Sequence, residues 1–199
     1  MFENLKDCYY YLYHYEVAGG LTLKATGLVI GIILVLTHIT ALIFKQKTQD
    51  WLKNLPRNVN FGRFLMTLNA LWMFAHFSWM DMRDFYKWRQ PMLIAVPLMM
   101  FLMCFLVTEF LSVRAIAIFM LLAAELLLTA AFLQPPVSRL LLPILAYLWI
   151  LVGMTLLVKP YWMRDCLNWL LSRKKLYFIA IFSGIIYGLL MLICSFLYY

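Results

Sequence analysis

One carboxylate and one imidazole stand out for where they lie. Glu125 sits inside AIAIFMLLAAELLLTAAFL, well within an apolar run, and His76 lies in another run over residues 64–80. A charged side chain at the centre of a membrane helix costs at least about 2.5–3.5 kcal/mol on insertion scales, so such a group is neutral, paired or facing water. A carboxyl group beside an imidazole makes a structural hydrogen bond or passes a proton, because imidazole changes charge near neutrality. At about 1.5 Å per residue, Glu125 lies roughly 16 Å from Arg114 and His76 roughly 18 Å from Phe64. Counted from one membrane face, the two side chains meet near the midplane. The expected site is therefore an intramembrane polar pair of Glu125 and His76.

The same arithmetic puts His38 and Asn69 at one level, each about 8–9 Å from that face. They form the second expected pair, an interhelical hydrogen bond of around 1 kcal/mol or less. His38 and His76 differ in level by roughly 9 Å. Two axial haem ligands need similar depth on opposite sides of one iron, so a bis-histidine haem is not expected. The cysteines Cys8, Cys104, Cys166 and Cys194 form no C-x-x-C, and the histidines have no H-x-x-x-H spacing. No metal or other cofactor is expected. Walker, G-x-S-x-G and H-E-x-x-H motifs are lacking, and no residue is assigned a catalytic role.

Two short segments repeat a pattern. Met82–Trp88 reads MRDFYKW and Met163–Trp169 reads MRDCLNW. As a duplication across three crossings they mark an inverted repeat, an architecture of many transporters. As independent solutions they are interfacial anchors: Arg83, Asp84 and Trp88 in one, Arg164, Asp165 and Trp169 in the other. The anchor reading is preferred, because aromatic and charged residues belong where a chain re-enters a bilayer. Pro160 suits the first turn of a helix that puts Trp162, Cys166, Trp169 and Leu170 on one face.

Two G-x-x-x-G patterns, Gly27/Gly31 and Gly184/Gly188, point to close helix contact inside the bundle rather than to dimerisation. Gly31 and Gly188 both fall about 20 Å from the same face, so their helices are expected to touch. Glu109 and Arg114 are expected to pair at a boundary.

The elements that must position these groups follow from composition. The chain is 65% hydrophobic and 13% charged, against about 45–50% and about 25% for a soluble domain. That excludes a water-soluble globule and leaves an all-α, polytopic membrane protein. Six apolar runs, over about 21–44, 64–80, 91–110, 113–133, 140–158 and 176–198, predict a six-transmembrane-helix bundle forming one domain over 21–199. The run over 64–80 is short and polar enough to be re-entrant instead. Residues 1–20, with Phe2, Leu5, Tyr9 and Leu12 at helical spacing, predict a short interfacial amphipathic helix.

The net charge of +8 sits between the apolar runs, where lipid head groups rather than nucleic acid are its partners. Eleven of the basic residues fall on the side of the 45–63 and 159–175 loops. The positive-inside bias makes that side cytoplasmic, with both termini outside, in a bacterial inner membrane. Three functions remain open. The first is a non-enzymatic accessory or assembly subunit, with other integral membrane subunits as partners. The second is a small ion- or proton-coupled transporter or channel using Glu125 and His76. The third is a lipid-modifying enzyme working at the MRD boundaries.

Overall fold

The computed structural model describes residues 6, 7, 9, 10, 13, 21–80 and 82–199. Among the described residues the regular structure is helical, without strands. From Leu23 onward, eight α-helices follow one another among the described residues: α1 Leu23–Ile43, α2 Lys45–Asn54, α3 Val59–Trp79, α4 Arg89–Leu106, α5 Leu111–Ala131, α6 Leu141–Val158, α7 Tyr161–Ser172 and α8 Lys174–Leu197. Turns of 3₁₀ helix at Leu55–Arg57, Arg83–Trp88 and Val137–Leu140 join them.

Among the described residues five segments are long and apolar enough to cross a membrane: Leu23–Ile43, Arg83–Leu106, Leu111–Ala131, Val137–Val158 and Lys174–Leu197. α3 is as long as α1, 21 residues, but its polar residues, Arg63, Asn69 and His76 among them, leave it outside that group of five. It is nevertheless one unbroken helix, about 30 Å long, as thick as a bilayer's hydrocarbon core. Its backbone does not turn back on itself between Val59 and Trp79. Its start explains the difference from the expected run. Asn58 accepts a hydrogen bond from the Phe61 N–H at 3.0 Å, an N-cap that starts the helix five residues before the apolar run. Thr22 caps α1 in the same way through Ala25 N–H.

Close contacts fix the directions. Gly31 meets Gly188, Gly27 meets Ser195, and the Tyr177 hydroxyl donates to Ala41 O at 2.8 Å, so α1 and α8 run antiparallel. Gly153 lies against Ala117 O, so α5 and α6 are antiparallel neighbours. Arg89 reaches Phe77 O and Met80 O while Arg63 reaches Cys104 O, so α3 and α4 are antiparallel. α3 and α5 run parallel, touching at Gly62 with Ser112, then at Asn69 with Ala115.

α5 is the central helix. Its alanines 115, 117, 124, 130 and 131 are buried, and small side chains let neighbouring backbones approach where lipid gives no hydrophobic drive between helices. One end of α5 packs with Leu23, Leu142, Leu145, Ala146 and Met191. The other packs through Leu111 and Ala115 with Met66, Met100 and Cys104.

The helix ends are closed by side chains from other elements. Arg89 donates to Phe77 O at 3.2 Å and Met80 O at 2.6 Å, placing a cation on the otherwise unpaired carbonyls at the end of α3. Ser112 donates to Leu55 O at 2.6 Å. Tyr187 donates to Leu141 O and Tyr199 to Ser138 O, tying α8 to the start of α6.

The two MRD segments take different conformations. Arg83–Trp88 is a 3₁₀ turn entered through a left-handed Arg83, φ 39°. Arg164, Asp165 and Trp169 lie inside the α-helix α7. They fall at opposite ends of the bundle, as expected, but do not share a local fold. Most of the expected N-terminal interfacial helix, including Phe2, Leu5 and Leu12, lies outside the described residues.

Candidate functional site

His76 occupies the last turn of α3, and Glu125 occupies the parallel stretch of α5. The imidazole Nε2 lies 3.6 Å from Glu125 Oε1. This is ion-pair distance and longer than a good hydrogen bond. The His76 side chain is 10% exposed and that of Glu125 44%. His76 Nδ1 is buried without a hydrogen-bond partner. The imidazole is thus held inside the bundle, while the carboxyl group reaches its outer surface.

The pair lies nearer the helix ends than expected. His76 stands about 25 Å along α3 from Val59, and Glu125 about 21 Å along α5 from Leu111. The extra length comes from the early start of α3 at the Asn58 cap. Both groups therefore sit nearer the Trp79 and Ala131 ends of their helices than the Val59 and Leu111 ends.

An aromatic cage covers the imidazole. The Tyr13 ring lies 5.0 Å from the His76 ring and the Tyr9 ring 5.8 Å, edge-on. Tyr9 and Tyr13 stack on each other at 4.7 Å, and Tyr9 also meets Trp79 at 5.7 Å. The Trp72 indole N–H donates to the Tyr13 hydroxyl at 2.8 Å. Burial pushes the Tyr13 phenol up to about 12; the Trp72 hydrogen bond opposes that rise and the Glu125 charge adds to it. Burial raises the Tyr9 phenol as well, with the Tyr13 and Glu125 charges adding. The tyrosine cluster was legible as a boundary feature, but nothing in its spacing tied it to His76.

The second expected pair does not form. His38 Nδ1 lies 2.7 Å from Leu34 O, and its ring fills the place where a Gly184 side chain would stand. Asn69 Nδ2 instead donates to Ala115 O at 2.8 Å. Depth arithmetic fixes height but not direction around the helix: His38 faces α8 and Asn69 faces α5. Nor do Glu109 and Arg114 pair. Arg114 Nε is buried without a hydrogen-bond partner, and Glu109 lines a polar hollow elsewhere.

The glycine expectations fare better. Gly31 and Gly188 lie face to face, each near the other's carbonyl oxygen, and Gly27 sits against Ser195 and Tyr199. Gly62 was not singled out in advance, yet a Cβ there would stand 2.6 Å from Ser112 N and 3.0 Å from Leu111 C. A signal existed, since Gly62, Asn69 and His76 recur at heptad spacing, but it lacked a second glycine to draw attention.

Of the anchors, Arg164 meets Asp165 at 3.0 Å, and Trp88 and Trp169 are exposed. Among the described residues no group of three or more His, Cys, Asp or Glu is placed to hold a metal ion. No family model, curated protein or solved structure matches the chain. Its apolar helices are those of an integral membrane protein.

Proposed function

We propose that the chain is a non-enzymatic subunit of a larger membrane complex, seated against a partner at the Glu125 end of α3 and α5. One observation carries this reading: nearly half of the Glu125 side chain is uncovered, on a helix that is apolar from Ala115 to Ala124. His76 meets the carboxyl group from one side only. Leaving the rest to lipid carries the insertion cost of a charged group, which a donor on a neighbouring subunit would remove. The orientation that goes with this reading has six crossings including α3, both termini outside and the Lys- and Arg-rich face in the cytoplasm of a bacterial inner membrane. Its support is the alternation of helix directions and the one-sided basic charge.

The test is purification in mild detergent. A stoichiometric partner should accompany the wild-type chain and the Glu125→Gln variant, and should be lost from Glu125→Leu. A solitary, monodisperse wild-type protein overturns the reading.

A second reading is favoured by the 3.6 Å contact itself. A carboxyl group that touches imidazole and also reaches the surface is placed to hand on a proton. In liposomes containing the protein and a pH-sensitive dye, this reading requires proton flux that Glu125→Gln abolishes. Flux equal to that of empty liposomes removes it.

A further inference from the structure

Two hollows flank the packing of Phe110 and Met163 on Leu156, on the face that carries most of the positive charge. The first, about 380 Å³, lies between the Leu55–Arg57 turn, the α4–α5 connection and α7. Arg57, Thr108, Glu109 and Arg164 supply its polar lining. The second, about 670 Å³, runs beneath α7 against α5 and α6, with Ile116, Met120, Leu156, Leu167 and Trp169 among its walls. Consecutive residues of α7 line both: Arg164 the first, Met163 and Asp165 the second.

We propose that these hollows together hold one phospholipid whose head group carries a primary ammonium. Its phosphate lies between Arg57 and Arg164, its ammonium meets Glu109, and an acyl chain fills the cleft beneath α7.

Charge complementarity selects this occupant. The side chains of Arg57 and Glu109 make no hydrogen bond or ion pair among the described residues. Arg164 turns Nε and Nη2 to Asp165 Oδ1, both at 3.0 Å, and Nη1 takes no part in that contact. Guanidinium groups match phosphate oxygens in geometry and charge. Glu109 in the same hollow opposes a purely anionic head group, so the matching ligand carries both signs. A quaternary ammonium has no N–H to give a carboxylate, whereas a primary ammonium has three.

The depth fits as well. α7 has no buried residue, and Trp162 and Trp169 are exposed at the level where amphipathic rings meet head groups. Phe110 carries the head-group hollow toward the apolar one. It packs with Met163 on Val113, Ala117 and Leu156, and its ring lies 5.9 Å from the Arg164 guanidinium.

The test is native mass spectrometry of the full chain in non-ionic detergent. Phosphatidylethanolamine, phosphatidylglycerol and phosphatidylcholine of identical acyl chains are titrated separately. One phosphatidylethanolamine should bind per chain, about tenfold tighter than either other lipid, a gap of about 1.4 kcal/mol. Glu109→Gln should abolish the preference over phosphatidylglycerol. The pair Arg57→Gln and Arg164→Gln should lose the bound lipid. Leu156→Trp should weaken all three lipids equally by filling the cleft. Should the arginine pair unfold, judged by tryptophan fluorescence on heating, the single neutral change at Glu109 decides alone. Equal binding of the three lipids, or an unchanged preference in Glu109→Gln, overturns the proposal. So does binding of soluble phosphoethanolamine as tight as that of the whole lipid, because the tail would then contribute nothing.

Discussion

His76 Nε2 stands 3.6 Å from the Glu125 carboxyl group, and two heptads earlier the same helices touch at Gly62 and Leu111. The two contacts belong to one parallel register between α3 and α5. A residue without a side chain sets the spacing at one end, and the polar pair meets at the other as a consequence. Asn69, one heptad from each, holds the middle through Ala115 O.

That register should be more sensitive to Gly62 than to His76. A methyl group at Gly62 meets backbone of α5, which cannot rotate away, so Gly62→Ala should cost about 2–3 kcal/mol, near the upper range for overpacking. Gly188→Ala should cost about 1–2 kcal/mol, since its methyl meets Val35 Cγ2 at 2.9 Å and Gly31 O at 3.1 Å. Unfolding by sodium dodecyl sulfate in mixed micelles measures both. Equal and negligible losses would show that these helices do not approach as closely as described.

The pair itself should contribute little to stability. Glu125 is partly exposed and the contact is long, and polar pairs between membrane helices average only about 0.6 kcal/mol. A double-mutant cycle with His76→Gln and Glu125→Gln should give a coupling of about 0.5–1 kcal/mol. A coupling near zero would mean that the two groups do not interact, and both functional readings would lose their basis.

Tyr13 provides a pH signature for the cage. Its phenol is raised from the usual value near 10 to about 12. The neutral ring is the form the fold favours. The stabilisation it gives is fully present below pH 10 and is lost as pH rises through about 12. Removing the indole donor with Trp72→Phe should raise the midpoint further, because that hydrogen bond favours the phenolate. The ultraviolet absorbance of tyrosinate follows it, with Tyr13→Phe as the assignment control. A midpoint that falls in Trp72→Phe would contradict the donor role.

Threading is open to direct labelling. In a background without the native cysteines, Tyr199→Cys should react with a membrane-impermeant maleimide on intact cells. Lys53→Cys should react only after permeabilisation. The same contrast between Met80→Cys and Asn58→Cys would establish that α3 crosses the bilayer. Labelling of both from one side would remove the sixth crossing.

Much of this arrangement was legible in the residues. Apolar run lengths located every long helix, because a bilayer forces nearly continuous apolar sequence on a helix that crosses it. The Glu125–His76 meeting followed from equal rise along two parallel helices. What failed was azimuth and cap position. His38 and Asn69 lie at one height but face different neighbours, and a count of residues carries no information about that. The start of α3 differs from the start of its apolar run because Asn58 caps the helix within a polar stretch, where hydrophobicity gives no signal. Gly62, the Arg89 cap and the Tyr9–Tyr13 cover were missed for a related reason. Each acts on a backbone or ring from another element, and no local pattern encodes such a contact.

The packing of α1 against α8 has a consequence for synthesis. α1 leaves the ribosome well before α8, the helix it packs against, and α3, α4, α5 and α6 are made in between. Until then its glycine groove and His38 face lipid or whatever the insertion machinery lends them. A nascent chain arrested before α8 leaves that groove vacant, however well the helices between have folded, and membrane quality control would meet it in that state.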